Sequence, residues 1–136
     1  MIHIILFEPE IPPNTGNIIR LCANGGFILH LIHPLGFKID EKSLRRAGCD
    51  YHNLTKIHEY KNFEHCMKEL KEVHNVNQVY ALTTKGSKSL YKAKFNHNDA
   101  ILFGPESRGL PANILDNMSA NYKIRIPMQE NSRSLN

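Results

Sequence analysis

Apolar positions along the chain come in short blocks separated by polar, proline-rich or glycine-rich breaks, and the blocks alternate between two spacings. Ile2–Phe7 is an almost unbroken apolar run ending at Glu8-Pro9, which predicts a buried strand. Asn14-Thr15 offers a helix N-cap, and Ile18, Ile19, Leu21 and Cys22 mark one helical face stopped by Gly25-Gly26. Phe27–Ile32 reads as a second strand, and Asp40 starts a short helix that runs through Leu44 and ends at Gly48. Leu54–His58 is a third strand. Asn62 then opens a helix with Phe63, Cys66, Met67, Leu70 and Val73 at three- and four-residue intervals. Gln78–Leu82, Ala100–Phe103 and Tyr122–Ile126 predict strands four to six, and Pro111 begins a helix carrying Ile114, Leu115 and Met118.

Strands and helices alternate, and several strands are apolar on both faces. The expected class is α/β, a mainly parallel sheet with helices on both faces. The 136 residues fit one domain, residues 1–136, with no repeat or linker. In such folds ligands bind beyond the carboxyl ends of the strands, where strand order reverses. Phe7, Leu82, Phe103 and Ile126 therefore point to the segments that matter.

Composition changes this picture little. Apolar residues make up 41% and charged residues 22%, which excludes disorder and coiled coil. No apolar run approaches the ~18 residues of a membrane span, and the start lacks a signal peptide's basic region, so a cytoplasmic chain is expected. A net charge of +4 is compatible with a polyanionic partner without requiring one. Cys22, Cys49 and Cys66 are widely spaced and read as small buried side chains. Among the eight histidines, His30/His33 and His58/His65 form no H-E-x-x-H or similar set, so solvated or packing roles outweigh a metal site. No dinucleotide-binding or P-loop glycine pattern occurs.

After Phe7, three prolines stiffen a loop that feeds a helix start suited to an anion, with Arg20 about one and a half turns into that helix. The plain reading is a capped helix bearing a surface arginine. After Phe103 comes Gly104-Pro105-Glu106-Ser107-Arg108-Gly109-Leu110-Pro111, a sharply shaped loop around a carboxylate; the alternative is an ordinary β–α turn. It is not a nucleophile elbow, because Ser107 stands three residues after Gly104. The run Lys85–Lys94 gathers four lysines around Tyr91, either a solvated loop or a phosphate-tracking surface. After Pro127 come Ser132-Arg133-Ser134-Leu135-Asn136.

Together these segments resemble the tRNA 2'-O-ribose methyltransferases of the SPOUT superfamily, in particular the small TrmL/YibK group that modifies the wobble nucleotide, cytidine or uridine 34. Glu8 to Asn24 is similar to the group's first motif, Phe103-Gly104-Pro105-Glu106 with Gly109-Leu110-Pro111 to its second, and Ser132–Asn136 to the opening of its third. Arg45-Arg46-Ala47-Gly48 and Ala81–Gly86 match intermediate landmarks. The resemblance implies an α/β-knot fold with a C-terminal trefoil knot and a homodimer. It also implies S-adenosylmethionine as methyl donor, S-adenosylhomocysteine as product, no metal, and the tRNA anticodon loop as substrate. Family members continue past the position of Asn136 into a final helix. The resemblance therefore implies that this chain lacks that helix, with the knot incomplete and 132–136 poorly ordered.

By the same resemblance Arg20, Glu106, Ser134 and Asn136 are catalytic positions, Arg20 serving the ribose hydroxyl as a donor to developing alkoxide charge or as a phosphate ligand, and second as a base. Glu106 anchors an arginine or shapes its loop. Leu82, Gly104, Ile126 and Ser134 map to cofactor-binding positions. Asn14, Arg45, Arg46, Lys85, Lys88 and Lys92 are candidates for RNA contact. A non-catalytic RNA-binding module with the same fold is the competing class.

Overall fold

The computed structural model describes residues 1–39, 41–46 and 57–129. The elements in chain order are β1 (His3–Phe7), α1 (Pro12–Gly25), β2 (Ile28–Ile32), α2 (Glu41–Arg46), β3 (Ile57–Tyr60) and α3 (Phe63–Glu72). They continue with β4 (Val79–Leu82), β5 (Lys88–Ser89), β6 (Ala100–Phe103), α4 (Ala112–Leu115) and β7 (Lys123–Arg125), with 3-10 turns at Leu90–Lys92 and Ala120–Tyr122. The strands form one sheet in the order β3-β2-β1-β6-β4-β7-β5, and every pairing is parallel. No helix among the described residues is long and apolar enough to cross a membrane.

Strand order reverses beside β1. From β1 the chain builds outward through β2 and β3, then crosses back to fill the other side. The reversal places the end of β1 next to the end of β6, with Leu6 opposite Phe103. Each face of the sheet buries its own core. Ile5, Phe7, Ile32 and Leu102 pack under α3 and α4 with Cys66, Leu70 and Ile114; Leu6, Leu29 and Leu31 pack under α1 with Ile19 and Cys22.

Several boundaries differ from the pattern of the sequence, each for a local reason. Helix α1 begins at Pro12, ahead of the expected Asn14-Thr15 cap, with Ile11 at the N-cap and no side-chain cap bond. Proline suits the first helical turn, where its missing N–H costs nothing and its fixed φ is already helical. Two of the three loop prolines, Pro12 and Pro13, are thus helix, and Arg20 lies eight residues in, roughly 12 Å along the axis. Gly26 closes the helix at φ 74, its N–H on the Cys22 carbonyl, as the glycine pair implies. Leu21, expected on the apolar face, is 60% exposed, and Thr15 and Gly16 are buried instead.

Asn62 caps α3, its side chain accepting from the His65 N–H at 2.8 Å. Strand β3 extends to Tyr60, which is buried and pairs with Ile32; the expected start at Leu54 lies outside the described residues, as do Asp40, Gly48 and Cys49. Helix α4 stops at Leu115 and does not reach Met118. The Asn117 side-chain amide donates to the Asn113 carbonyl at 2.7 Å, taking the acceptor that the next helical N–H would use. The lysine run contributes a strand: β5 is the sheet edge beyond β7, with Lys88 beside Ile124. The segment that would form the knot, past Gln129, lies outside the described residues.

Candidate functional site

Two loops meet where strand order reverses. The loop after β1 carries Glu8, Pro9 and Glu10; the loop after β6 carries Gly104 to Pro111. They are joined reciprocally. The Glu106 carboxylate accepts from the Glu10 N–H at 2.7 Å. The Glu10 carboxylate accepts from the Ser107 N–H at 2.8 Å and from the Ser107 hydroxyl at 2.7 Å. Arg108 Nη2 donates to Glu8 Oε1 at 3.1 Å, and its Nε lies 4.0 Å from Glu10. The Ser107 hydroxyl and amide hold the Glu10 carboxyl below the usual carboxylate range. Charge-assisted bonds to backbone N–H groups are among the stronger hydrogen bonds, so this clasp fixes the loops' relative position.

The backbone explains the loop's composition. A Cβ on Gly104 would stand 2.4 Å from the Leu110 nitrogen and 2.6 Å from the Gly109 carbonyl carbon, so any side chain forces the turn open. Gly109 has φ +69, and its N–H reaches the Pro105 carbonyl at 2.9 Å. Glu8 also lies in the left-handed region at φ 47, unusual for a residue with a side chain and held by its Arg108 pairing.

Beside the clasp opens a cleft of about 300 Å³, lined by Pro9, Asn14, Asn17, Ile18, Gly104 and Glu106 among others. Arg20 is exposed and outside the lining, and it reaches the cleft wall through Nη2 donating to Asn17 Oδ1 at 3.4 Å. Asn14 lies on the cleft wall. Glu106 thus lines the cleft while its carboxylate shapes the loop; the arginine of this loop, Arg108, is held by Glu8 and Glu10.

Leu82 and Gly104 sit at the ends of β4 and β6, where Leu82 pairs with Phe103, and Ile126 follows β7, where Leu82 pairs with Ile124. All three therefore share the carboxyl edge of three adjacent strands, with Leu82 and Ile126 half-buried. The turn after β4 is drawn tight onto β7. Thr83 N–H bonds the Ile124 carbonyl at 2.9 Å, and a Cβ on Gly86 would approach the Ile124 carbonyl carbon to 2.6 Å. Ser134 and Asn136 lie outside the described residues.

The RNA-contact candidates fall in two groups. Arg45 and Arg46 are exposed on α2, whereas Lys85, Lys88 and Lys92 lie on or near β5. Since α2 joins β2 to β3, the two groups sit near opposite edges of the sheet; β2 and β5 are five strand spacings apart, roughly 24 Å. Tyr91, between Lys88 and Lys92, is 83% exposed.

The profile of the SpoU rRNA Methylase family matches residues 1–136. The chain belongs to that family. Among curated members, the tRNA (cytidine(34)-2'-O)-methyltransferase of Escherichia coli strain K12 is 53% identical over 139 residues, covering all of this chain and 84% of the relative. A solved structure described as giving structural insights into the 2-OH methylation of C/U34 on tRNA superposes with a TM-score of 0.87 at 41% identity, over 100% of this chain and 86% of that one. An AdoMet-bound rRNA methyltransferase from Sinorhizobium meliloti, 23% identical, shares the fold with a TM-score of 0.81, over 99% of this chain and 50% of that one. The α/β fold expected from strand alternation is thus that of the SPOUT methyltransferases.

Within this family member, sequence motifs located the two loops but not the partners that join them. Ser107 and Arg108 bond Glu10 and Glu8 across about a hundred residues of chain. The one signal in the sequence was complementarity: two carboxylates in one loop, and an arginine with a hydroxyl in the other.

Proposed function

We propose that this chain transfers a methyl group from S-adenosylmethionine to the ribose 2'-oxygen of nucleotide 34 in tRNA. The observation that carries the reading is the position of Gly104. It lines the Asn14–Asn17 cleft beside Arg20, and it also ends β6 next to Leu82. A cofactor held at the Leu82–Gly104–Ile126 edge would therefore adjoin a ribose held in the cleft. The residues suit the cofactor: half-buried Leu82 and Ile126 offer apolar cover for adenine, and Gly104 lets the Gly109–Leu110 backbone fold against the end of β6 to wall the site. When bound, the cofactor supplies an activated methyl group, and the protein's task is to position the acceptor.

Arg20 donates from beside the cleft to the ribose oxygen as charge develops there, or to the adjoining phosphate. Asn17 aims it through its Oδ1, and the Glu10–Glu106–Ser107 clasp keeps the cleft wall in place. The anticodon loop is single-stranded RNA with accessible bases and 2'-hydroxyls. Lys85, Lys88 and Lys92 would follow its phosphates and exposed Tyr91 would stack on a base. Arg45 and Arg46 extend the footprint from the far edge of the sheet. Ser134 and Asn136 complete the cofactor and substrate contacts, and the chain works as a homodimer. Exposed Ile11, Leu21 and Phe27, all on or beside α1, supply an apolar surface for the second copy.

Labelled cofactor and a tRNA pool, with mapping of the modified nucleotide, test the reading directly. Label is expected at position 34, on the ribose. Arg20→Ala is expected to abolish transfer while leaving cofactor affinity unchanged by calorimetry. Label elsewhere, or an affinity loss matching the rate loss, would overturn the substrate or the role of Arg20 respectively.

A further inference from the structure

The opposite end of the sheet holds a cluster that methyl transfer does not use. His3 on β1, His30 on β2 and His58 on β3 share the face covered by α3, and His74 lies just past that helix. His3 and His30 are 1% and 0% exposed. Their rings stack at 5.2 Å; His30 and His58 stack at 5.3 Å; His74 meets His30 and His58 edge-on at 4.9 and 4.8 Å. One ring nitrogen from each of His3, His30 and His74 lies within 4.8 Å of the other two. Among the described residues no other three metal-ligating side chains are grouped so closely.

We propose that this end of the sheet binds one zinc ion through the imidazoles of His3, His30 and His74. Three features support it. First, the ligand nitrogens are nearly placed. His3 Nδ1 and His30 Nε2 are 2.9 Å apart, and two nitrogens on a tetrahedral zinc at about 2.0–2.1 Å stand roughly 3.4 Å apart, so small ring movements admit the ion. His74, half-buried at the end of α3, closes the third side by a larger rotation.

Second, the outward nitrogens are already held, as metal-binding imidazoles require. His30 Nδ1 meets the buried Tyr60 hydroxyl at 2.8 Å, and the His3 ring bonds the Asn98 side chain. In the metal-free chain the His3–His30 and His30–Tyr60 contacts each carry one proton between their two atoms, and either neutral tautomer of His30 satisfies both. With zinc on Nε2 the proton resides on Nδ1 and Tyr60 accepts, so His30 binds as a neutral tautomer with no charge to create.

Third, the donor set consists of imidazoles alone, and neutral imidazole is a metal ligand that adds no charge to the buried site. Carboxylate is absent from the set, and a three-imidazole donor group with an open position for water suits zinc among the common divalent ions. The reading replaces the expectation of packing histidines for these three. That expectation rested on spacing along the chain, whereas His3 and His30 meet on adjacent strands and His74 is brought to them from the end of α3.

Calorimetric titration of the metal-free 136-residue chain with zinc chloride tests the site. One zinc per chain is expected for the unsubstituted protein and for His33→Ala, whose imidazole pairs with Glu59 at the surface. His74→Ala should bind at least tenfold more weakly while its metal-free melting temperature stays close to that of the parent. Nitrogen-15 NMR of the unsubstituted chain gives a readout that needs no variant: zinc should shift the ring signals of His3, His30 and His74. Substoichiometric binding, equal affinity in His74→Ala, or shifts confined to His33 and His65 would each overturn the proposal.

Discussion

The two ends of the sheet solve opposite problems with polar groups. At the carboxyl end, Glu8, Glu10, Glu106, Ser107 and Arg108 remain charged or hydroxylic near solvent, tied across two loops by directed bonds. At the amino end, imidazoles are driven into the core and held neutral, with rings stacked and nitrogens shared. The first arrangement holds two loops in place beside a cleft of about 300 Å³. The second fills space and gathers one ring nitrogen from each of three histidines within 4.8 Å of one another. Backbone topology accounts for the division, since loops extend from the carboxyl ends while helices return to the amino ends.

The sharpest way to break the carboxyl end is Gly104→Ala. Backbone atoms at 2.4 and 2.6 Å leave the new methyl nowhere to go. The loop must shift, costing about 3 kcal/mol by analogy with overpacked cores. Methyl transfer should fall below detection, with a melting temperature lowered by several degrees. Gly109→Ala provides the contrast: there the cost comes from φ +69 with no clash, and a loss of about 1 kcal/mol is expected.

Acid acts selectively on the amino end. His3 is held near a pKa of about 4 against 6.5 in the unfolded chain, chiefly by burial and then by His74, the amino terminus and His58 around it. His30, between His3, His58, His74 and Tyr60, is depressed further by burial. Their folded values lie below the unfolded ones, so the unfolded state binds more protons and stability falls as pH falls. The contribution is complete above about pH 6.5 and is lost as pH drops toward 4. His3 alone contributes on the order of 3 kcal/mol across that window and His30 adds to it, a loss read in denaturant titrations of the metal-free chain. A stability flat between pH 7 and 4.5 would show that the histidines are not buried as described.

Glu106→Ala probes the clasp more gently. It leaves the Glu10 N–H without its 2.7 Å acceptor, at a cost of about 1–2 kcal/mol partly recovered by water. The expected signature is a severalfold loss of methyl transfer with cofactor affinity nearly intact. A loss as complete as that of Arg20→Ala would mean that Glu106 touches substrate.

The carboxyl end was far more legible than the amino end. Its glycines and prolines are local, and the backbone they require leaves a mark in a few consecutive residues: Gly104, Gly109 and the Pro12-Pro13 helix start. Strand alternation likewise gave the parallel sheet, because burial on both faces forces continuous apolar runs. The histidine cluster left no such mark, since its members meet through strand register, Ile5 pairing with His30 and His30 with His58, and through the end of α3, which brings in His74. The α4 end was hidden for a similar reason, depending on one side-chain bond from Asn117. The β5 strand escaped notice because two residues carry no periodicity.

The smallest expected effect separates binding surface from scaffold within the carboxyl half. Lys88 and Lys92 lie at the β5 edge and in the turn after it, flanking exposed Tyr91, and none of the three belongs to either core cluster. Replacing both lysines by alanine should therefore leave the melting temperature within about a degree, since surface substitutions away from buried networks rarely exceed ~0.5 kcal/mol. The effect should appear in tRNA binding instead. Each phosphate that no longer meets a lysine lowers the slope of log affinity against log salt by roughly one unit, so the double variant should fall by about two. Tyr91→Ala should weaken binding at every salt concentration without changing the slope, because stacking releases no counterions. An unchanged slope in the lysine variant would make this run an ordinary solvated edge and move the phosphate path toward Arg45 and Arg46.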